Sequence, residues 1–388
     1  MNAIANFFTL YWIIYFPTCI VFNHLPGFSS IDEVMTVVLI GYTFFKKGHW
    51  ATNPEPWQEY FTFLKILVFY IVYSLILQVN ATGAVWLDLV QQIRPFSIIY
   101  CTWILNPQFS EQQKKWLIGS TILSLAAFII YIPTVGTVRN AAVGQMAICT
   151  AMTYYLLTKE TRKNLWITVA IATVGLLSMK FKYYGQYGVF MVLLFFMKER
   201  LNLKSSKAIV QVAFLVGFSI FIGWQRFDVY YVSGMDNEAL ARPMMYKTSL
   251  QVLIDYFPLG SGMGTFSTAA SAVYYSPLYI KYGLNHVWGL QSVGGFIGDT
   301  FYPSLAQFGI VGVILFYVFW KRRLIAINEI ESRQYYLVAL MAFFCLAIEQ
   351  AADSSWLSGK GMGYCMLIGL CLNANRNMEE ADDESEED

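Results

Sequence analysis

The residues best suited to chemistry cluster in the second half of the chain. Arg242-Pro243 opens the stretch PMMYKTSLQVLIDYF, and a proline fits the first turn of a helix. Arg242 is therefore expected at a helix amino terminus, where backbone N–H groups and the helix dipole favour an anion. Next comes Pro258-Leu259-Gly260-Ser261-Gly262-Met263-Gly264-Thr265-Phe266. Glycines at alternate positions let backbone N–H groups converge into an anion-binding nest, or permit a plain tight turn. Two groups could accept a proton. Asp299 stands just before an apolar run, as base or as helix cap. His286, beside Asn285, could be a base or a structural imidazole.

Further cations fall near apolar runs. Lys180 and Lys182 could bind phosphate or anchor a helix end by snorkelling. Arg94 lies within an apolar run, where charge is expensive enough to suggest either function or a partner such as Asp88. Glu349 and Asp353 could line the same cavity or pair with Lys360. No DxD-type carboxylate pair and no His/Cys cluster with metal spacing is present, so neither a metal nor a cofactor is inferred. Cys19, Cys101, Cys149, Cys345, Cys365 and Cys371 sit in or beside apolar runs without a CxxC pair and read as small buried hydrophobes.

The elements that must position these groups are membrane helices. The chain has 388 residues, of which 57% are hydrophobic and 13% charged. A soluble chain would carry about 25% charged residues. A net charge of +1 gives no reason to expect a nucleic-acid partner. Runs near the length needed to span a bilayer, about 20 residues, fall at 4–23, 30–45, 60–78, 87–105, 116–134, 140–157, 165–179, 184–197, 208–225, 302–320, 335–350 and 357–373. The first has no basic region before it and no small-residue cleavage site after it, and reads as a retained helix.

With the amino terminus in the cytoplasm, sixteen of the 26 Lys and Arg fall in cytoplasmic segments and eight outside, Arg139 among the latter. That asymmetry is what the positive-inside rule requires. The expectation is an all-α integral membrane protein of about 12 transmembrane helices, spanning 1–375, with both termini inside. A single large outer loop runs over 226–299, and an acidic, disordered tail over 376–388. A long loop in an otherwise compact chain is more often functional than accidental. Its aromatics (Tyr230, Tyr231, Tyr274, Tyr275, Tyr279, Tyr282, Trp288) suit sugar stacking or the interfacial belt.

The segment ARPMMYKTSLQVLIDYFPLGSGMGTF, followed by DTFYPSLAQFGIVGVILF, resembles the O-antigen polymerase and ligase superfamily. In that family an Arg precedes a P-L-x-G-x-G-x-x-F segment in the large periplasmic loop. A polar residue then precedes a helix reading like L-A-E-x-G-I-x-G. The likeness is specific over 240–316 and topological elsewhere. It implies the multi-helix GT-C-type fold of membrane glycosyltransferases in the bacterial inner membrane. The implied activity is sugar transfer from an undecaprenyl-diphosphate-linked oligosaccharide, with neither metal nor nucleotide sugar. A chain-length-regulating co-polymerase is an implied partner.

Ligases of this superfamily usually carry His-Asn where this chain has Asp299-Thr300. They commonly place an Arg after a Ser where this chain reads Ser178-Met179-Lys180-Phe181-Lys182-Tyr183. Lysine still supplies cationic charge to a phosphate, but as a point charge without the bidentate fork of Arg. The missing His favours polymerisation of surface polysaccharide repeat units over ligation to lipid A core or protein. A flippase of lipid-linked sugar is the reading from another class, and it would call for broken helices at matching positions of two halves, which the sequence does not display. On the polymerase reading Arg242, Lys180, Lys182 and Arg94, with the N–H groups of Gly260, Gly262 and Gly264, would hold the diphosphate, and Asp299 or His286 would activate the acceptor hydroxyl. The topology has a direct consequence. A cysteine introduced at Lys281 is expected to react with a membrane-impermeant thiol reagent in spheroplasts, and one at Lys321 is not. The reverse pattern would end the reading.

Overall fold

The computed structural model describes residues 3–24, 30–46, 54–135, 141–197, 200–201, 206–222, 224–233, 240–293 and 295–375. The acidic tail at 376–388 and Arg139 lie outside the described residues, as does 234–239 within the loop. The described chain is all-α, without a strand. Among the described residues, the long helices before the loop are α1 (Ala3–His24), α2 (Ile31–Phe45), α3 (Pro54–Leu77), α4 (Thr82–Leu105), α5 (Glu111–Val135), α6 (Ala141–Leu157), α7 (Arg162–Val174), α8 (Phe181–Phe196) and α9 (Ser206–Ile222). The loop contains α10 (Ala241–Asp255). After it come α11 (Gly309–Glu329), α12 (Arg333–Ala352) and α13 (Met362–Cys371). Each of the twelve apolar runs read from the sequence coincides with one of these helices other than α10.

Among the described residues, four helical segments, Pro54–Leu77, Glu111–Tyr131, Phe301–Glu329 and Arg333–Ala352, are long and apolar enough to cross a membrane. Their burial separates two roles. In α12 67% of the apolar window is buried within the protein, against 22% in α3 and 28% in Phe301–Glu329. The first is a central helix and the others are peripheral. Large apolar side chains stand exposed on the periphery, among them Phe45, Val68, Phe69, Ile76, Ile130, Phe196 and Ile314. Exposed apolar side chains on the long apolar helices suit a hydrocarbon surround better than water. The five cysteines whose side chains are described are buried thiols.

The centre is built by α4, α6, α8, α12 and α13, whose contacts run α13 on α4, α12 on α13, α12 on α8 and α6 on α12. Helix α4 carries Pro95 inside it. A proline there removes one backbone donor and weakens the ladder, next to the polar stretch that holds Asp88, Gln91, Gln92 and Arg94. The loop has its own small core of Met245, Val252, Phe266, Leu278, Tyr279, Leu284, Val287 and Leu290, separate from the main cluster. Tyr279 sits at its middle, with its hydroxyl bonded to that of Ser271 at 2.6 Å and accepting from Ser267 N at 3.1 Å. The loop is thus a folded cap on the bundle.

Candidate functional site

Where the cap meets the bundle, ionisable groups converge. Helix α10 begins at Ala241 with Leu240 as its N-cap, has no capping side chain and carries no acidic residue in its first turn. Arg242 sits in that turn, so its charge adds to the positive end of the helix. Tyr246, one turn on, donates to Ala351 O at 2.9 Å and ties α10 to the end of α12. Just past that end Asp353 O accepts from Phe301 N at 3.3 Å, and this fixes the segment carrying Asp299. The Asp299 carboxylate accepts from the Ser354 hydroxyl at 2.8 Å. Burial pushes the Asp299 carboxyl up, and the neighbouring charge of Asp353 pushes the same way. The Ser354 bond and the charge of Arg242 oppose them without cancelling them.

The cap role considered for Asp299 does not hold. The next helical turn, Phe301–Ser304, takes Thr300 as its N-cap and receives no side-chain cap. Asp299 faces Ser354 instead.

Lys182, in the first turn of α8, bridges Glu349 and Asp353 with its ammonium. Around this bridge Gln186 donates to Glu349 Oε1 at 3.0 Å. Ser355 donates to Glu349 Oε2 at 3.1 Å, and Gln145 donates to the Ser355 hydroxyl at 2.9 Å. Burial alone would push the Asp353 carboxyl up, but Lys182 and then Lys360 outweigh it and hold it well below the usual range. The partner expected for Glu349 and Asp353 is Lys360; both carboxylates are bridged by Lys182 instead, and Lys360 acts on Asp353 only as a neighbouring charge. The cluster therefore carries Arg242, Lys182 and Lys360 against Asp299, Glu349 and Asp353, a formal balance of zero. Lys180, half-buried, is the N-cap residue of α8.

Arg94 is placed elsewhere. Its side chain is 2% exposed, with Nη1 at 2.6 Å from Asp32 Oδ2 and Nη2 at 2.8 Å from Glu33 Oε1. Nη1 also donates to Leu357 O at 2.8 Å. Its partners are thus the first-turn carboxylates of α2, not Asp88, and its charge is already neutralised. That geometry makes it an internal strut and not a ligand for an outside phosphate.

The glycine segment also differs from an open anion nest. Gly260, Gly262 and Gly264 all have positive φ, at 83°, 92° and 70°. Yet their N–H groups are spent inside the protein. Gly260 donates to Tyr256 O at 2.7 Å and Gly262 to Gln307 O at 2.9 Å. Gly264 donates to Asp88 Oδ2 at 2.9 Å. The same Asp88 oxygen accepts from Gln307 Nε2 at 2.9 Å. Met263 N donates to Ser74 Oγ at 2.8 Å and Tyr73 donates to Gly260 O at 2.7 Å. The anion this loop holds is the protein's own Asp88 carboxylate, and the segment is a clasp between the cap, α3, α4 and the turn before α11.

His286 lies in a short helical turn, Leu284–His286, and is exposed. None of the hydrogen bonds and ion pairs that define the cluster involves it. The structure brings together Arg242, Asp299 and Lys182, and it sets Arg94, His286 and the glycines apart from them. Sequence reasoning missed Gln145, Gln186, Ser354 and Ser355. The polar positions of α6 and α8 were the available signal, since a glutamine in an apolar helix needs a buried partner. No point among the described residues gathers three His, Cys, Asp or Glu side chains as metal ligands would. No family model matches the chain, and no curated protein matches it.

Two substitution series test this geometry. A Cβ at Gly264 would lie 2.5 Å from Ala84 O and one at Gly283 meets nothing, although both have positive φ. Left-handed backbone costs an L-residue about 1–2 kcal/mol. Gly264→Ala should lower the melting temperature of the detergent-purified protein clearly more than Gly283→Ala, and equal losses would show that the clasp is not close-packed. Lys182→Met leaves two carboxylates facing each other in a buried site and should cost about 3–5 kcal/mol. Adding Glu349→Gln to that variant should restore part of the loss in a double-mutant cycle; strict additivity would mean the bridge does not form.

Proposed function

We propose that the chain is a membrane glycosyltransferase that polymerises lipid-linked saccharide repeat units at the outer face of the bacterial inner membrane. On this reading about 12 helices cross the membrane, the loop 226–299 faces outward and both termini face the cytoplasm. The resemblance of residues 240–316 to the O-antigen polymerase and ligase superfamily supports it. So does one structural observation: Arg242, at an uncapped helix amino terminus, is brought beside a partly buried carboxylate, Asp299, where a folded cap meets the bundle.

The reaction asks for two things at such a place. A sugar attached to a lipid diphosphate already has a good leaving group, so the protein must stabilise the charge that develops as the C–O bond breaks. Arg242 and the positive end of α10 would receive the departing diphosphate, with Lys180 as the second cation. Lys182, already bridged to two carboxylates, would position the site without itself binding phosphate. The acceptor sugar's hydroxyl must lose its proton as it attacks the anomeric carbon. Asp299 would take that proton, and its raised pKa brings it nearer to the pH at which it must work. Its Ser354 bond would orient it. The lipid-linked units serve as donor and acceptor, and no metal takes part in the proposed chemistry.

Chain growth in the native host is the readout, displayed as a ladder of surface glycan on a gel. Arg242→Ala should collapse the ladder to single repeats while membrane levels of the protein stay normal. Asp299→Asn keeps an acceptor for Ser354 but cannot take a proton, and it should slow growth by at least about a hundredfold. In the unsubstituted protein the rate should fall as pH drops through the raised Asp299 pKa, above the usual carboxylate value of about 3.9, because the protonated acid is no base. Normal ladders in both variants would remove the site from the reaction. Long chains accumulating on carrier lipid in a deletion strain would point to ligation, and single units left facing the cytoplasm to a flippase.

A further inference from the structure

A second feature runs along α11 and plays no part in the chemistry above. Helix α3 packs on α4, and α11 packs on α12. Between α3 and α11 is a cavity of about 240 Å³ walled by Phe63, Leu67, Phe96, Leu315, Phe316 and Phe319. Its rings are ordered among themselves, with Phe63 stacked on Phe96 at 4.3 Å between centroids and Phe96 edge-on to Phe319 at 4.8 Å. An apolar cavity of roughly 150 Å³ is already large enough to stay dry and take up benzene, so this one suits an apolar chain. At the cap end it is closed by Tyr70, whose hydroxyl donates to Phe308 O at 2.7 Å. Exposed Thr62 and Val318 stand at its rim, on helices that otherwise present apolar side chains outward.

The far end is charged. Glu59 and Arg322 line it. Arg323 is ion-paired to Glu59, and Arg322 Nη1 stands 3.6 Å from the other Glu59 oxygen. Arg323 is 2% exposed, with its guanidinium over Trp103 at 4.5 Å and Tyr100 at 5.5 Å. Its Nε and Nη1 are buried and make no hydrogen bond. One carboxylate thus faces two guanidiniums, leaving one positive charge in excess, and Arg322 is 62% exposed. Beyond the Tyr70–Phe308 closure, from Gly312 to Arg322, the helix rises about 15 Å, half the thickness of a bilayer's hydrocarbon core. An apolar groove of that length, closed at the cap end and cationic at the other, matches an acyl chain with an anionic headgroup.

We propose that this groove binds an anionic phospholipid of the leaflet opposite the cap, with one acyl chain between α3 and α11 and its phosphate at Arg322. The proposal does not rest on the sugar-transfer reading, and its test requires no activity. The full-length protein is purified in detergent, and its lipid adducts are counted by native mass spectrometry. The competing lipids are phosphatidylglycerol and phosphatidylcholine with identical acyl chains. A basic side chain near an anionic lipid is worth about fivefold in binding. The unaltered protein should therefore retain phosphatidylglycerol about fivefold over phosphatidylcholine. Arg322→Gln should bring that ratio close to one while adducts persist. Leu315→Trp, which fills the groove, should lose both adducts, as should Thr62→Trp at the rim if the first variant does not fold. Equal retention of the two lipids by the unaltered protein would overturn the proposal, as would adducts that survive both tryptophan variants. So would displacement of the lipid by excess inorganic phosphate, or stronger retention of a polyprenyl phosphate than of phosphatidylglycerol.

Discussion

Asp88 holds three parts of the chain together with one carboxylate. It lies on α4 and is fully buried. It accepts the Gly264 N–H from the cap, the Gln307 amide from the turn before α11, and the Gln92 amide from its own helix at 3.3 Å. An ionised carboxylate in an apolar interior is costly unless its oxygens are filled by donors, so the three bonds form together or the site is destabilised. The demand also runs the other way. The glycine segment can present its N–H to Asp88 only with positive φ and a backbone that comes close to Ala84, conditions a side chain would violate. The registration of cap on bundle follows from this clasp, and with it the meeting of Arg242 and Asp299.

Charge balance inside the bundle adds a second constraint. Arg94 with Asp32 and Glu33, Arg323 with Glu59, and Lys182 with Glu349 and Asp353 each join helices distant in sequence. Breaking such a pair strands a charge in a medium that cannot solvate it. These bridges act as selective fasteners between helices whose apolar faces could otherwise slide, since apolar packing in lipid has little directional preference. At the cap interface Asp299, Glu349 and Asp353 already face the cations, so an anion that binds there must compete with these carboxylates for the positive groups.

Much of the fold was legible because it is local. A helix in an apolar medium needs only a run of apolar residues to satisfy its own backbone, and every such run in the sequence is a helix in the structure. Pairing was not legible in the same way. Arg94 was visible as a charge needing a partner, and Asp88 was its nearest acidic neighbour in sequence. The partner is instead on α2, because α4 packs there and turns Asp88 toward the cap. The three glycines were visible as a special backbone, but the destination of their N–H groups was not. Gly260 bonds locally, to Tyr256 O, but the acceptors of Gly262 and Gly264, Gln307 O and Asp88, lie far away in the chain and no local pattern announces them. Arg242 and Asp299 come together because Tyr246 and Phe301 N each bond backbone carbonyls at the end of α12, while His286 lies exposed in a separate short turn.

The two ends of α11 then present opposite problems to the same helix. Its first turn is gripped by the cap: Gly309 has positive φ, and a side chain there would collide with Pro258 O and Gly260 N. Tyr70 reaches across to Phe308 to seal the adjoining space. Towards its other end α11 is held by charge instead, through the pairing of Arg322 and Arg323 with Glu59 of α3. The apolar cavity lies between these two attachments. Left empty, such a cavity forfeits the dispersion contacts of its walls. The clasp that registers the cap also fixes Phe308, which closes the cap end of this cavity, and so links the polar site to the apolar groove behind it.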